Sequence, residues 1–226
     1  MKLTNQQITT IEQTLVLNGV VYDDIKLEIL DHIASDIEAE VISQERPFET
    51  VLKEVFEKWK PQLRPTSHNL LLGYSFSAPK IISDKLADEA KKELFAAGII
   101  VSLFTILILL INNEFEEPSL LSAIVFFLQA SAVIGALLMI SGKLCLLKSK
   151  INTTYLFRFK RAFYVILLYG LLIGFGCFPI LPFNKSIEIK VFSLITTLIY
   201  LFLIYGSLKL FYKHFQFEKK LFISKS

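Results

Sequence analysis

Along this chain the apolar positions change their rhythm at Leu94. Up to that point they recur every three or four residues among charged ones. Beyond it they run unbroken through 94–111, 120–142, 162–183 and 191–208, stretches of 18, 23, 22 and 18 residues without a charged side chain. About 20 apolar residues carry a helix across a hydrocarbon core roughly 30 Å thick. A soluble core helix keeps a polar stripe, and these stretches have none. The pattern predicts four transmembrane helices.

The first 65 residues predict three amphipathic helices. Thr4 and Gln7 have capping-box spacing ahead of Ile8, Ile11 and Leu15, and Gly19 supplies the stop. A second helix spans about Tyr22 to Gln44, with Asp23 and Asp24 suiting its positive N-terminal end. At 100° per residue, Leu27, Leu30, Ile33, Ala34, Ile37 and Val41 share one arc of it. Pro47 opens the third, where Phe48, Val51, Leu52, Val55, Phe56 and Trp59 line one face. Glu49–Lys53 and Glu54–Lys58 have i,i+4 spacing on the other. One apolar face per helix and short connections favour a three-helix bundle.

The fold class expected is therefore all-α: a small cytoplasmic three-helix domain (1–65), then a linker and juxtamembrane helix (66–93). Four transmembrane helices (94–208) and a basic cytoplasmic tail (209–226) complete it. Pro61, Pro65 and Pro79 mark the linker, in which "LLLGYSF" (70–76) suits a membrane surface. From Lys80 the charged segment is able to run as one helix into the first span.

Charge sharpens this division. Residues 1–65 hold seven basic and twelve acidic side chains, a net of −5, whereas the remainder carries +8. Fifteen Lys and Arg flank the spans on one side against two, Lys185 and Lys190, on the other. That asymmetry places both termini in the cytoplasm. Met1–Gly19 is too polar for a cleavable signal peptide, so the first span is expected to direct insertion.

Little chemistry is visible in the spans. No Asp, Glu, Lys, Arg or His lies within them, which argues against a proton relay. Gln129 is their most polar side chain and suits an interhelical hydrogen bond. Gly170 and Gly174 form a GxxxG pattern, and Ser131 with Gly135 and Ala132 with Ala136 give small-xxx-small pairs. Packing within the bundle is preferred for them over homo-oligomer formation. Pro179 and Pro182 are expected to kink or end the third span. Tyr155, Phe157, Phe159, Phe163 and Tyr164, interleaved with Arg158, Lys160 and Arg161, read as anchors beside anionic membrane lipids, not as a nucleic-acid surface. Cys145 and Cys177 fall at opposite membrane faces, which excludes a disulfide between them. No P-loop, GxSxG, HExxH, CxxC or dinucleotide fingerprint occurs, so no enzyme, metal or cofactor is expected.

The acidic face of the second helix is the richest remaining feature. Asp24, Glu28, Asp31, His32 and Ser35 lie opposite its apolar arc, and Glu28 and Asp36 stand one turn before and after His32. Metal sites draw three or four ligands, usually from more than one helix. His68 and His214 lie in the linker and the tail without a comparable motif. A membrane enzyme using Glu28, His32 and Asp36 is accordingly the least favoured reading. A solvated or partner-facing surface of Asp24, Glu28, Asp31, His32 and Asp36 is preferred. The order Glu28, Leu30, Asp31, His32, Ile33, Asp36, Ile37, Glu38, followed by Val51, Leu52, Val55 and Phe56, resembles the HAAS-type helical signalling domains and related permease-prefix domains of bacteria. The resemblance implies a membrane-anchored signalling adaptor of the bacterial inner membrane that docks a protein partner. The alternative is a transport component with a regulatory N-terminal domain.

Overall fold

The computed structural model describes residues 2–44, 46–67, 77–114, 118–181 and 186–225. Apart from one pair of two-residue strands, the described chain is helical: α1 (Asn5–Leu17), α2 (Asp23–Gln44), α3 (Phe48–Leu63), α4 (Lys80–Glu114), α5 (Pro118–Leu146), α6 (Thr154–Gly174) and α7 (Ile187–Lys225). It forms two compact units, Met1–Glu93 with Asn152–Thr154, and Leu94–Ile151 with Tyr155–Ser226.

In the first unit, Thr4 and Gln7 make the reciprocal capping box that opens α1. The helix closes in a Schellman turn. Gly19, at φ +85°, donates its N–H to Val16 O, and the Val20 N–H reaches Leu15 O. Val20 and Leu15, the apolar pair that accompanies such a turn, are both fully buried. α2 packs against α1 and α3. Its buried line is Ile25, Ile29, Ile33 and Ile37, so the core arc is rotated from the expected one, and Leu27 is exposed. α3 buries Val51, Leu52, Val55 and Leu63 and continues through Pro61, which the sequence placed in the linker. Pro61 is tolerated because it sits in the last turn, where one missing N–H costs one bond. The expected i,i+4 pairs give way to bridges between elements. Lys58 meets Glu40 of α2, and Arg46 meets Glu54.

The ends of the linker are clasped. Strands β1 (Pro65–Thr66) and β2 (Ala78–Pro79) pair antiparallel, with Pro65 opposite Pro79 and Thr66 opposite Ala78. The buried Ser83 hydroxyl donates to Thr66 O at 2.8 Å. The stretch 70–76 and His68 lie outside the described residues. The first turns of α4 belong to this unit and bury Ile82, Leu86 and Ala87, so the compact unit extends to Glu93, past residue 65 where the sequence pattern ended it.

Helices α4, α5 and α7 contain three stretches, Lys80–Ile111, Leu120–Leu146 and Ile187–Ile223, long and apolar enough to cross a membrane. α4 continues unbroken from Lys80, and α7 runs on through the basic tail. α6 departs from the expected 162–183 span. It ends at Gly174, where Gly176 at φ +71° donates to Ile173 O and the Phe178 N–H reaches Leu172 O. Apolarity persists beyond that point, but the backbone has already turned. The core seam uses Leu128, Ala132 and Met139 of α5, Phe159, Phe163, Ile166 and Ile173 of α6, and Leu194, Leu198 and Ile204 of α7. Phe159 and Phe163 therefore serve the core instead of an interfacial belt, while Tyr164 is exposed. Lys143 lies 4.1 Å from the Phe163 ring centre and 4.2 Å from that of Tyr164.

Replacing Gly19 with Ala tests the first unit's chain reversal. An added Cβ would meet Pro79 Cγ at an ordinary 3.5 Å, so the cost is that of a left-handed alanine, about 1–2 kcal/mol. Thermal unfolding of Gly19→Ala should show that loss, whereas Gly98→Ala, with open space around its Cβ, should not.

Candidate functional site

Helix α2 carries seven carboxylates and one lysine. Much of that charge is engaged inside the unit. Lys26 bridges Glu12 at 2.8 Å and Asp23 at 3.1 Å. Burial pulls its pKa down, but the hydrogen bonds and charges of Glu12 and Asp23 more than compensate and leave it above the ordinary lysine value. The stabilisation is thus complete at neutral pH and fades only as the pH rises through that raised value. Glu38 accepts the Leu3 N–H at 2.9 Å.

Asp23 and Asp24 hold Asn152–Thr154. The Asp23 N–H donates to Asn152 O at 2.7 Å, and its carboxylate accepts the Asn152 N–H at 2.9 Å. The Asp24 carboxylate accepts both the Thr154 N–H, at 2.9 Å, and the Thr154 hydroxyl. An anion receiving the first N–H of a helix acts as its cap, supplied here from 130 residues away. Asp24 is thereby committed to Thr154 and does not line the groove described next.

Glu28, His32 and Asp36 come together along one side of α2. With Ile25 and Ile29 of the same helix, Trp59 of α3, and Ile81 and Lys85 of α4, they line a groove of about 300 Å³. Residues 25 to 36 cover three helical turns, so the groove is about 16 Å long. The isoleucines and the indole give it an apolar floor. Glu28 pairs with Lys85 Nζ at 2.5 Å, and Asp36 accepts the Trp59 indole N–H at 3.1 Å. His32 and Asp31 are exposed, and Asp31 does not line the groove. Among the described residues no cluster of three His, Cys, Asp or Glu is placed to hold a metal. The arrangement suits recognition: apolar contact beside fixed carboxylates.

The small-residue candidates sit in the helix packing of the second unit. A Cβ on Gly170 would strike the Tyr200 hydroxyl and lie 2.9 Å from Ala136 Cβ, and one on Gly174 would lie 2.9 Å from Val133 Cγ2. At Gly135 it would come within 2.5 Å of Ile204 Cδ1. Ser131 turns its hydroxyl back to Phe127 O at 2.8 Å. Gln129 donates to Gly174 O at 3.1 Å and Ile173 O at 3.3 Å, the interhelical bond its sequence context suggests. A larger groove of about 600 Å³, flanked by α4 and α7, is lined almost wholly by apolar side chains. Its Thr105 hydroxyl is buried without a hydrogen-bond partner, and the exposed Ser102 hydroxyl is the other polar side chain among its described lining residues.

Sequence reasoning missed one cluster. His214 is fully buried, with Nε2 3.0 Å from Ser149 Oγ, and Ser149 also bonds Glu218 at 3.2 Å. The one available signal is that His214 and Glu218 stand one turn apart on α7; Ser149, 65 residues away from His214, gives none.

The Asp24 cap is directly testable. Asp24→Ala removes a charge-assisted pair of hydrogen bonds and should cost about 1.5–3 kcal/mol. Amide exchange at Thr154 should accelerate accordingly, while Asp31→Ala, at an exposed position, should leave it unchanged. Compared with protein-family models, curated proteins and solved structures, the chain shows no match to any of them.

Proposed function

We propose that the chain is a multi-pass adaptor of the bacterial plasma membrane whose acidic N-terminal unit docks another protein through the Glu28–His32–Asp36 groove. The observation that carries this reading is the groove itself, with an apolar floor and carboxylates on a unit of net negative charge. The resemblance of residues 28–38 and α3 to HAAS-type and permease-prefix domains supports the same role. The lack of ionisable side chains in the apolar stretches 94–111, 120–142, 162–183 and 191–208 favours an anchor over an ion-coupled carrier.

In this proposal α6 is a fourth crossing and both termini are cytoplasmic. Its 21 residues make a helix about 31 Å long. Arg158, Lys160 and Arg161 all lie in its first eight positions, where they reach the cytoplasmic interface by snorkelling. Cys145 and Cys177 are both exposed and provide the test. A membrane-impermeant maleimide applied to spheroplasts should label Cys177 and spare Cys145 until the membrane is permeabilised. Identical labelling of the two would mean that α6 does not cross.

The docking role is tested by crosslinked capture from native membranes, comparing wild type with Glu28→Lys/Asp36→Lys. A protein recovered by the wild type and lost from the double variant is the expected result. Equal recovery by both would remove the groove from the function.

A further inference from the structure

Among the described residues that line the groove Lys85 is the one lysine or arginine, and it comes from α4, 57 residues from the glutamate it meets. We infer that Lys85 occupies, within the chain, the place of a partner's cation, so that the groove is a latched receptor for a basic amphipathic helix. This rests on the docking reading above and specifies the partner's chemistry.

Three features carry it. The groove follows about three turns of α2 and holds about 300 Å³, which suits the row of side chains along one face of a helix laid over it. Its two carboxylates, Glu28 and Asp36, are eight residues apart, about 12 Å along the axis. Cations at i and i+7 or i+8 of a partner helix have that separation. Ile81 and Trp59, both partly exposed over the buried Ile29, offer apolar and aromatic surface for the partner's intervening apolar side chains. The occupant is therefore a helix with one apolar stripe flanked by lysine or arginine.

The Glu28–Lys85 pair has the properties of a latch. Both side chains are substantially exposed, at 52% and 40%, so the pair is solvated and exchangeable. An incoming cation takes Glu28, and the lysine's flexible stem swings into water without disturbing α4. Asp36 is poised differently. The Trp59 N–H occupies part of its acceptor capacity, and Lys58, bonded to Glu40, already lies within its field, so a second cation would share Asp36 with Lys58.

Trp59 is the chain's only tryptophan, so its emission reports the groove without background. Full-length protein in phosphatidylcholine vesicles would be titrated with a tryptophan-free leucine–lysine amphipathic helix of about five turns, with protein-free vesicles as the blank. The Glu-for-Lys version of that peptide is the control. The basic peptide should shift Trp59 emission saturably and the acidic one should not. Lys85→Ala should tighten binding about three- to tenfold at low ionic strength, a gain lost in high salt and in Lys85→Ala/Glu28→Gln. If Lys85→Ala binds no more tightly than wild type while Asp36→Asn still weakens binding, the latch is wrong and the docking groove stands. If neither wild type nor Lys85→Ala responds to saturating peptide, the docking reading falls as well.

Discussion

Hydrocarbon does not solvate peptide groups, and the second unit is organised by that constraint. Each N–H and C=O in the bilayer must find its partner within the protein. Long helices meet the demand along their length and leave only their ends to be resolved. The structure resolves them by extension or by side chains. α4 and α7 continue well past their apolar stretches, so those ends fall among charged residues. α6 stops sooner, and there the Gly176 turn and the Gln129 amide satisfy carbonyls that would otherwise face the apolar interior.

The first unit, with water available, is held by different means. A line of isoleucines on α2 fills its centre, and the carboxylates around that line have assigned tasks: Asp23 and Asp24 on Asn152–Thr154, Glu28 on Lys85, Asp36 on Trp59, Glu38 on Leu3. The acidic surface is thus a set of ties between segments as much as a field presented to solvent. What remains available for recognition is the part of that surface bordered by apolar side chains.

Helix existence was legible because it depends on local rhythm. Thr4 with Gln7 marked one start, Gly19 one end, and unbroken apolarity marked the long helices. Rotation was less legible. The arcs containing Leu27 and Leu30 and containing Ile25 and Ile29 lie side by side on α2, and the choice depends on what covers the helix. Ile82, Leu86 and Ala87 belong to that same unit but arrive from a distant segment. The end of α6 was misread because hydropathy reports composition and not backbone direction. At the groove, Glu28, His32 and Asp36 were visible as a helical spacing, whereas Lys85 and Trp59 join them only through the tertiary fold. The His214–Ser149 contact was hidden for the same reason.

The bond from Gln129 to the end of α6 bears on how the chain is assembled. An α6 that entered lipid alone would carry the Gly174 carbonyl without the Gln129 donor, and an α5 alone would carry an unmatched amide. Each helix lowers the other's cost of leaving water. With α6 crossing as proposed above, the natural parcel for membrane insertion is the α5–α6 hairpin, delivered together, and synthesis must reach Gly174 before α5 has its full reason to stay.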